Sequence, residues 1–365
     1  MKKKEKNENS KDAQLKDLSL NPIKLQKNLL QPLYSRFTNS VSAYFNEKNG
    51  PVITYLKRSW ILYLMLLLPI SFFIIFRYIP MTNIVIAFKD YNIFQGVWSE
   101  GSPWVGLKWF ETAIGRRDFW LALRNTVVLN ALDLVIGFPA PIILALILNE
   151  LIFKKFKKIT QTIVYLPHFL SWIIVSSIAT RLLAPSNGVV NIFLVETFTP
   201  AMQKLFSNPE IKIGPIDFLM DNANWVATYI TFGVWKEMGW GTIIYLAAIT
   251  GINPELYEAA EVDGAGRWRK LWHITLPGIR ATIVVLLIMN IGRILGIELD
   301  RPYTMANRVV MEVADVISTL VYRVGIRSFQ FSLTAAIGLF QSVVCVIFLV
   351  AANSLAKKFG ERGIW

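Results

Sequence analysis

Four charged side chains lie inside long apolar stretches of the sequence, where an isolated charge is costly. They are Asp133, Lys236, Glu237 and Arg293. A charge at the centre of a membrane costs about 2.5–3.5 kcal/mol on insertion scales, so each side chain should face the interior of a helix bundle or water. The four residues therefore predict buried ion pairs, a polar path through a bundle, or both.

Depth and helix geometry predict how these charges pair. Asp133 and Lys236 are compatible in depth, as are Glu237 and Arg293. Neighbouring residues of a helix point about 100° apart, so Lys236 and Glu237 are predicted not to pair with each other. Each is expected to find its partner on another helix.

The sequence offers little for catalysis or metal binding. Its single cysteine, Cys345, lies in an apolar stretch, and its two histidines, His168 and His273, lie in different segments. It contains no GxxxxGK[ST] phosphate-binding loop. We therefore predict no catalytic residue, no metal site and no cofactor bound by this chain. His168 is predicted to be a hydrogen-bonded core residue rather than a proton relay.

The apolar stretches predict the elements that hold these charges. Of 365 residues, 54% are hydrophobic and 17% charged, whereas a soluble domain carries about 25% charged residues. About 20 apolar residues cross a hydrocarbon core. We therefore predict an all-α polytopic membrane protein and not a soluble enzyme. Its six predicted transmembrane helices lie near residues 59–81, 122–149, 159–182, 224–250, 279–299 and 329–355.

The distribution of positive charge predicts the orientation of the chain. The tails and loops of one side hold 23 Lys and Arg residues, whereas the longer loops opposite hold ten. Positive charge collects on the cytoplasmic side, so both termini are predicted to be cytoplasmic. The net charge of +13 then reflects this orientation and not nucleic-acid binding. The predicted regions are a basic tail (1–58), a first helix with an outer loop (59–120), a five-helix core (121–355) and a C-terminal tail (356–365).

One predicted cytoplasmic segment, residues 252–277, is more elaborate than a simple connection. Asn253 is predicted to cap a short helix that begins with a proline. The dipeptide Asp263-Gly264 is typical of a turn. Residues 265–272 resume a helical pattern, which Pro277 is predicted to close. The segment is therefore predicted to form a compact helix–turn–helix.

The residues of this segment match a known motif at the right spacing. They are Glu258-Ala259-Ala260, Asp263-Gly264-Ala265, Ile274 and Leu276-Pro277. The segment resembles the EAA motif of binding-protein-dependent ABC importer permeases, except that Leu271 stands where that family usually has an aromatic residue. In the family the motif docks on the ATP-binding subunit. The resemblance therefore implies a coupling role for Glu258, Ala259, Ala260, Asp263, Gly264, Ala265, Trp268, Leu271 and Pro277.

Four further stretches extend the resemblance over most of the chain. Residues 86–92, 165–168, 315–319 and 360–365 are similar to LplB-type permeases, a branch that imports oligosaccharides or polysaccharide fragments. The resemblance implies a type I ABC importer permease fold in the bacterial plasma membrane. It also implies an oligosaccharide substrate and several partners: a second homologous permease, an extracytoplasmic sugar-binding lipoprotein, and an ATPase dimer that binds ATP and Mg.

The resemblance gives the intramembrane charges a second interpretation. Gly233, Lys236 and Trp240 fall on one face of the fourth predicted helix, and they align with the stretch that forms the sugar cavity in maltose-type permeases. An aromatic ring beside charged and amide groups suits a sugar, because it pairs an apolar face with hydrogen-bonding groups. Structural ion pairs are the alternative. The predicted substrate path comprises Asp133, Gly233, Lys236, Glu237, Trp240, Asn290 and Arg293.

Two other classes of protein are alternatives. An ion-driven secondary transporter would also contain intramembrane charges, but it predicts inverted repeats and discontinuous helices and leaves residues 252–277 unexplained. A membrane enzyme acting on lipid-linked sugar would need a carboxylate or metal cluster, and none stands out in the sequence. The outer loops 90–120, 183–223 and 300–328 are long enough to contact a substrate-binding protein.

Overall fold

The computed structural model describes residues 58–365 except 211, 213, 297, 359, 361, 362 and 365. The predicted basic tail, up to residue 57, lies outside the described residues. The chain divides into two compact units, Met1–Met81 and Thr82–Trp365. In the described part of the first unit, helix α1 (Trp60–Phe73) continues through a π turn (Ile74–Tyr78) and a last helical turn (Ile79–Met81).

The second unit is helical, which confirms the all-α prediction. Among its described residues, strand-like pairing is limited to an isolated antiparallel bridge between Lys89 and Trp104. Its helices are α2 (Lys108–Ile114), α3 (Arg117–Asn149), α4 (Lys154–Tyr165), α5 (Trp172–Leu182), α6 (Val189–Ile192), α7 (Thr199–Leu205), α8 (Asn222–Thr250), α9 (Pro254–Val262), α10 (Arg267–Gly292), α11 (Asp300–Met305), α12 (Met311–Ala314), α13 (Ile317–Val321) and α14 (Phe331–Lys358).

Four helical stretches of the described chain are long and apolar enough to cross a membrane, namely Trp60–Phe88, α3, α10 and α14. The bent pair Lys155–Phe169 and Trp172–Leu182 counts as a fifth if it is taken as one span. Helix α8 has 29 residues, which is about 43 Å at 1.5 Å per residue. It is not among these four stretches, and Lys236 and Glu237 lie near its middle.

The prediction of one continuous helix over residues 159–182 is wrong. The structure bends it by 103° between Phe169 and Trp172. Pro167 lies in a 3₁₀ turn at the end of the first half, where its missing N–H cannot support a longer helix. Ser171 then starts the second half by accepting a hydrogen bond from the amide of Ile174. The bend leaves backbone carbonyls available beside α8.

The predicted bounds of the fifth helix, 279–299, are wrong at both ends. Helix α10 begins at Arg267 and ends at Gly292, so Arg293 lies at its C-cap and not in its interior. Pro277 therefore lies inside α10 and does not close a separate helix. A π turn at Leu271–Thr275 precedes the proline. This wider turn accommodates a ring that would otherwise clash with a carbonyl four residues earlier.

Two apolar cores hold α8 in place. One core packs Trp225 and Tyr229 of α8 against Leu129 of α3 and against residues around α11 and α12. The other packs Tyr245 and Ile249 of α8 against residues of α3 and α10. The middle of α8, between these cores, carries the small and charged residues that line the candidate site.

Candidate functional site

A cavity of about 390 Å³ lies along the middle of α8, and its lining combines apolar side chains with charged and amide groups. We call it the central cavity. Helices α3, α8 and α10 form most of its wall, and Arg301 of α11 closes it. Its polar and glycine lining includes Asn130, Asp133, Gly137, Gly233, Glu237, Gly241, Asn290, Arg293, Gly296 and Arg301. Five of the seven residues predicted for a substrate path therefore line one cavity, whereas Lys236 and Trp240 do not. Their role in transport stays a prediction.

Asp133 and Arg301 form the best-defined ion pair of the central cavity. Nη1 of Arg301 donates to Oδ2 of Asp133 at 2.6 Å and Nη2 to Oδ1 at 3.2 Å. Nη2 also donates to the carbonyl of Tyr229 at 2.7 Å, and the guanidinium lies 3.7 Å from the centre of the Tyr229 ring. The predicted pairing of Asp133 with Lys236 is therefore wrong, because a bidentate arginine occupies the carboxylate.

Gly233 makes room for this arginine. A Cβ atom built at position 233 would lie 2.1 Å from Nη2 of Arg301. Real Cβ atoms do not approach other atoms so closely, so any side chain at this position would displace the guanidinium. Gly233 was predicted to belong to a substrate path, and its observed contact is with the ion pair that lines the cavity.

Lys236 and Glu237 pair with each other, contrary to prediction. Nζ of Lys236 lies 2.8 Å from Oε1 of Glu237, and Oε2 of Glu237 lies 2.8 Å from Nδ1 of His168. Lys236 also donates to the backbone carbonyl of His168 at 3.0 Å. The prediction failed because both side chains converge on His168, where Lys236 donates to the backbone carbonyl and Glu237 contacts Nδ1 of the ring. Glu237 therefore does not pair with Arg293.

Aromatic rings surround this charged cluster. The ring of Trp240 stacks on His168, with ring centres 4.6 Å apart and planes at 7°. Trp240 is 47% exposed, and Nζ of Lys236 lies 5.2 Å from the centre of the Trp172 ring. His168 is hydrogen-bonded, as predicted, but it is half-buried and not a core residue; it lies between Glu237 and Trp240. Trp172 was not singled out from the sequence.

Arg293 is the cationic lining residue that no carboxylate neutralises. It is exposed and forms no ion pair with the residues that the structure describes. Asn290, one turn earlier, donates to the carbonyl of Leu286 at 2.8 Å and leaves its amide oxygen available. The cavity therefore combines a closed ion pair, a partly exposed carboxylate and an open guanidinium.

Arg301, which holds Asp133, was not predicted from the sequence. Arg301 belongs to α11, a helix of six residues that lies outside every apolar stretch. The predicted outer loop 300–328 included it for this reason. A six-residue helix produces no hydropathy pattern that would place Arg301 at this depth.

The EAA segment, residues 252–277, turns at Gly264. Helix α9 begins after Asn253, whose side chain accepts from the amide of Glu255, and this confirms the predicted cap. At the other end Gly264 has a φ of +69°. The amide of Ala265 donates to the carbonyl of Ala260 at 2.8 Å, and the amide of Gly264 donates to the carbonyl of Glu261 at 3.0 Å. This pair of bonds is a Schellman motif, in which a residue at positive φ favours glycine.

Two side-chain bridges connect α9 to α10 across this turn. Oε1 of Glu261 lies 2.6 Å from Nζ of Lys270. The hydrogen bond from Lys270 lowers the pKa of the Glu261 carboxyl below its ordinary value, and the charge of Lys270 adds to the effect. Deeper in the hairpin, the hydroxyls of Tyr257 and Thr275 lie 2.9 Å apart. The EAA segment is therefore a closed hairpin attached to the start of α10.

The outer face of this hairpin is open. Glu258 is exposed and makes no hydrogen bond or ion pair with the described residues. Apolar side chains beside it are also exposed, including Val262 at 90% and Trp268 at 76%. Ala259 and Asp263 are exposed, whereas Ala260, Ala265 and Leu271 are half-buried. A patch that combines exposed apolar groups with an unpaired carboxylate is typical of a protein interaction surface.

Comparison with known proteins assigns the chain to a family. Residues 137–361 match the family described as "Binding-protein-dependent transport system inner membrane component". The chain is 46% identical over 319 residues to the polygalacturonan/rhamnogalacturonan transport system permease protein YteP of Bacillus subtilis (strain 168), covering 87% of this chain and 94% of that protein. It is 44% identical over 329 residues to protein LplB of the same organism, covering 87% of this chain and 98% of that protein.

Solved structures agree with this assignment. A bacterial ABC transporter involved in the import of the acidic polysaccharide alginate has a chain that is 38% identical, with a TM-score of 0.72 over 85% of this chain and 99% of that chain. The alginate transporter in complex with its pentasaccharide-bound periplasmic protein gives a TM-score of 0.73 at 38% identity, over 86% of this chain and 100% of that chain. The resemblance read from the EAA motif is thus confirmed, and the chain belongs to the family of binding-protein-dependent transport system inner membrane components.

Proposed function

We propose that this chain is the permease subunit of an ATP-driven importer that moves oligosaccharides or polysaccharide fragments into a bacterial cell. The observation that carries the proposal is the central cavity, because a member of this family needs a polar space among its membrane helices. The relatives named for polygalacturonan/rhamnogalacturonan and alginate transport support a carbohydrate as the substrate.

The proposed topology has six transmembrane helices and cytoplasmic termini. Helix α8 is one of the six, since its charges pair within the bundle and its length of 29 residues is sufficient. The bent pair of α4 and α5 is another. An even number of spans leaves both termini on one side, and the excess of Lys and Arg in the cytoplasmic loops and tails supports the inner side of the plasma membrane.

The proposed assembly contains a second homologous permease, a dimer of ATP-binding subunits and an extracytoplasmic sugar-binding lipoprotein. The sequence has no phosphate-binding loop, so ATP and Mg are assigned to the ATPase subunits. The open face of the EAA segment, with Glu258 and Trp268, is the proposed contact with an ATPase subunit. Its closed hairpin would transmit motion to α10.

The seven predicted path residues take different parts in this proposal. Glu237, Asn290 and Arg293 present polar groups to the cavity and would contact the sugar. Asp133, Arg301 and Gly233 would hold the wall. Lys236 would orient Glu237, and the partly exposed ring of Trp240, beside this cluster, would be a stacking surface.

The test is uptake by the complete importer in proteoliposomes. We expect sugar to accumulate only when ATP is enclosed with the ATPase subunits and the loaded binding protein is on the opposite side. Uptake driven by an ion gradient without ATPase subunits would refute the proposal. Such a result would favour a secondary transporter, the class to which the discontinuous helix at residues 169–172 also points.

A further inference from the structure

A second pocket, with three arginines in its lining, lies outside the central cavity. It has a volume of about 220 Å³ and is formed by α11, α12, α13 and the π turn Tyr322–Arg327. We call it the arginine pocket. Three arginines, Arg308, Arg323 and Arg327, line it together with Tyr303 and Tyr322, and none of its described lining residues is acidic.

The three arginines differ in what they contact. Arg323 is bound by Asp315 through two hydrogen bonds of 2.7 and 3.0 Å. Asp315 is buried and also accepts from Thr319, so its carboxylate is occupied. Arg327 donates to the hydroxyl of Tyr303 at 2.9 Å, which neutralises no charge. Arg308 is exposed and has no ion-pair partner in the described part of the chain.

Two guanidinium groups are therefore available to an anion in the arginine pocket. Arg323 has a structural explanation, since it satisfies the buried Asp315. Arg308 and Arg327 have no such explanation. Their planar, forked donors match the two oxygens of a carboxylate better than a lysine ammonium does. The chemistry of the pocket is that of a carboxylate receptor.

The aromatic residues restrict the class of ligand further. The rings of Tyr303 and Tyr322 lie 5.2 Å apart in a T-shaped arrangement, and the guanidinium of Arg327 lies 5.6 Å from the centre of the Tyr322 ring. An aromatic face beside a cation suits a ring with an apolar face and an anionic substituent. A uronic acid residue has both features.

The arginine pocket and the central cavity lie on opposite faces of α11. Tyr303 lines the pocket, whereas Arg301 lines the cavity. Two residues apart on a helix correspond to about 200° of rotation, and a helix is about 10 Å across. A sugar held in the pocket would therefore be about one helix diameter from the cavity.

We propose that the arginine pocket binds the carboxylate of a uronic acid residue before an acidic oligosaccharide enters the central cavity. This inference rests on the proposed function and on its outer placement of residues 300–328. A transporter chain that is 38% identical to this one takes part in the import of the acidic polysaccharide alginate.

The experiment compares two sugars that differ only in charge. The complete importer in proteoliposomes is supplied with trigalacturonate or with the same trisaccharide after reduction of its carboxyl groups. In Arg308→Gln/Arg327→Gln, the half-saturation concentration for trigalacturonate should rise about tenfold or more, because charge-assisted hydrogen bonds are lost. Uptake of the reduced sugar should not change. The single variant Arg308→Gln should show a smaller shift in the same direction, and it removes no side-chain hydrogen bond or ion pair within the described residues.

The matched control is Lys155→Gln/Lys158→Gln. It removes two exposed positive charges that are outside the pocket, and it should leave uptake of both sugars unchanged. An equal loss for both sugars in the pocket variants would assign the arginines to docking of the binding protein and overturn the proposal, as would no loss for either. Failure of the unmodified importer to take up either sugar would instead overturn the proposed function.

Discussion

Replacement of Gly233 by alanine should break the ion pair between Arg301 and Asp133. The added Cβ would lie 2.1 Å from Nη2 of Arg301, whereas ordinary contacts begin at 3.4 Å. The guanidinium must therefore withdraw by about 1.3 Å, which is the difference between these distances. Its 3.2 Å bond to Oδ1 of Asp133 and its bond to the carbonyl of Tyr229 would then exceed hydrogen-bonding distance.

The expected loss of stability follows from the burial of this pair. The side chains of Arg301 and Asp133 are 12% and 28% exposed, so solvent replaces the lost bonds only in part. A hydrogen bond to a charged group contributes about 1.5–3 kcal/mol. Retention of the bond between Nη1 and Oδ2 would limit the loss to roughly 2 kcal/mol. At about 2–4 °C per kcal/mol for a large domain, the unfolding temperature should fall by roughly 4–8 °C.

Thermal unfolding of the purified importer measures this effect, and a double-mutant cycle tests its cause. Gly233→Ala should destabilise the protein that contains Arg301 but should have little effect in an Arg301→Met background. Gly338→Ala is the matched control, because a Cβ at position 338 meets no atom within 4 Å. Equal destabilisation in both backgrounds, or none in either, would refute the reasoning.

Three further predictions concern the EAA segment and the charged cluster. Gly264→Pro should abolish substrate-stimulated ATP hydrolysis without preventing membrane insertion, because proline fixes φ near −65° and lacks the N–H that bonds Glu261; Gly264→Asn, which tolerates positive φ, is the control, and normal stimulation in the proline variant would contradict the prediction. Lys236→Met and Trp240→Ala should each reduce sugar uptake in an assembled importer, and unaltered uptake would exclude these residues from the path. The lowered pKa of Glu261 means that its bridge to Lys270 stabilises the hairpin above the ordinary carboxyl pKa of about 4.3 and is lost as pH falls through the lowered value. Hydrogen exchange at residues 263–266 should therefore be slower than in a Glu261→Gln protein at neutral pH, and this difference should disappear below about pH 4. Equal rates in the two proteins at every pH would show that the bridge contributes nothing.

Local chemistry made the EAA segment predictable. The cap at Asn253 and the turn at Gly264 each depend on one residue type that satisfies backbone groups, and both occur in the structure as predicted. The long apolar helices follow from composition in the same way. Five of seven predicted path residues line one cavity. Charged residues in apolar helices must face the bundle interior or water, and this makes their location predictable.

The pairings of these charges were not predictable, because they depend on elements that hydropathy does not reveal. Arg301 reaches Asp133 from a six-residue helix in a predicted loop. Lys236 finds the carbonyl of His168 only because the chain breaks after Phe169. Depth in the membrane predicts partners only among residues of continuous helices. The observed partners, Arg301 and the carbonyl of His168, instead lie in a short helix and at a helix break.

The course of α10 changes how the two functional regions are connected. A helix closed at Pro277 would have separated the EAA segment from the membrane helix that follows. Instead α10 runs through 26 residues from Arg267 to Gly292, about 39 Å at 1.5 Å per residue, and carries Asn290 of the central cavity near its far end. The bond between Tyr257 and Thr275 fixes the hairpin to this helix. A displacement of the EAA segment can therefore reach the cavity wall through one continuous helix, α10. Along α10, the hydrogen-bond pattern departs from that of a regular helix at the π turn Leu271–Thr275.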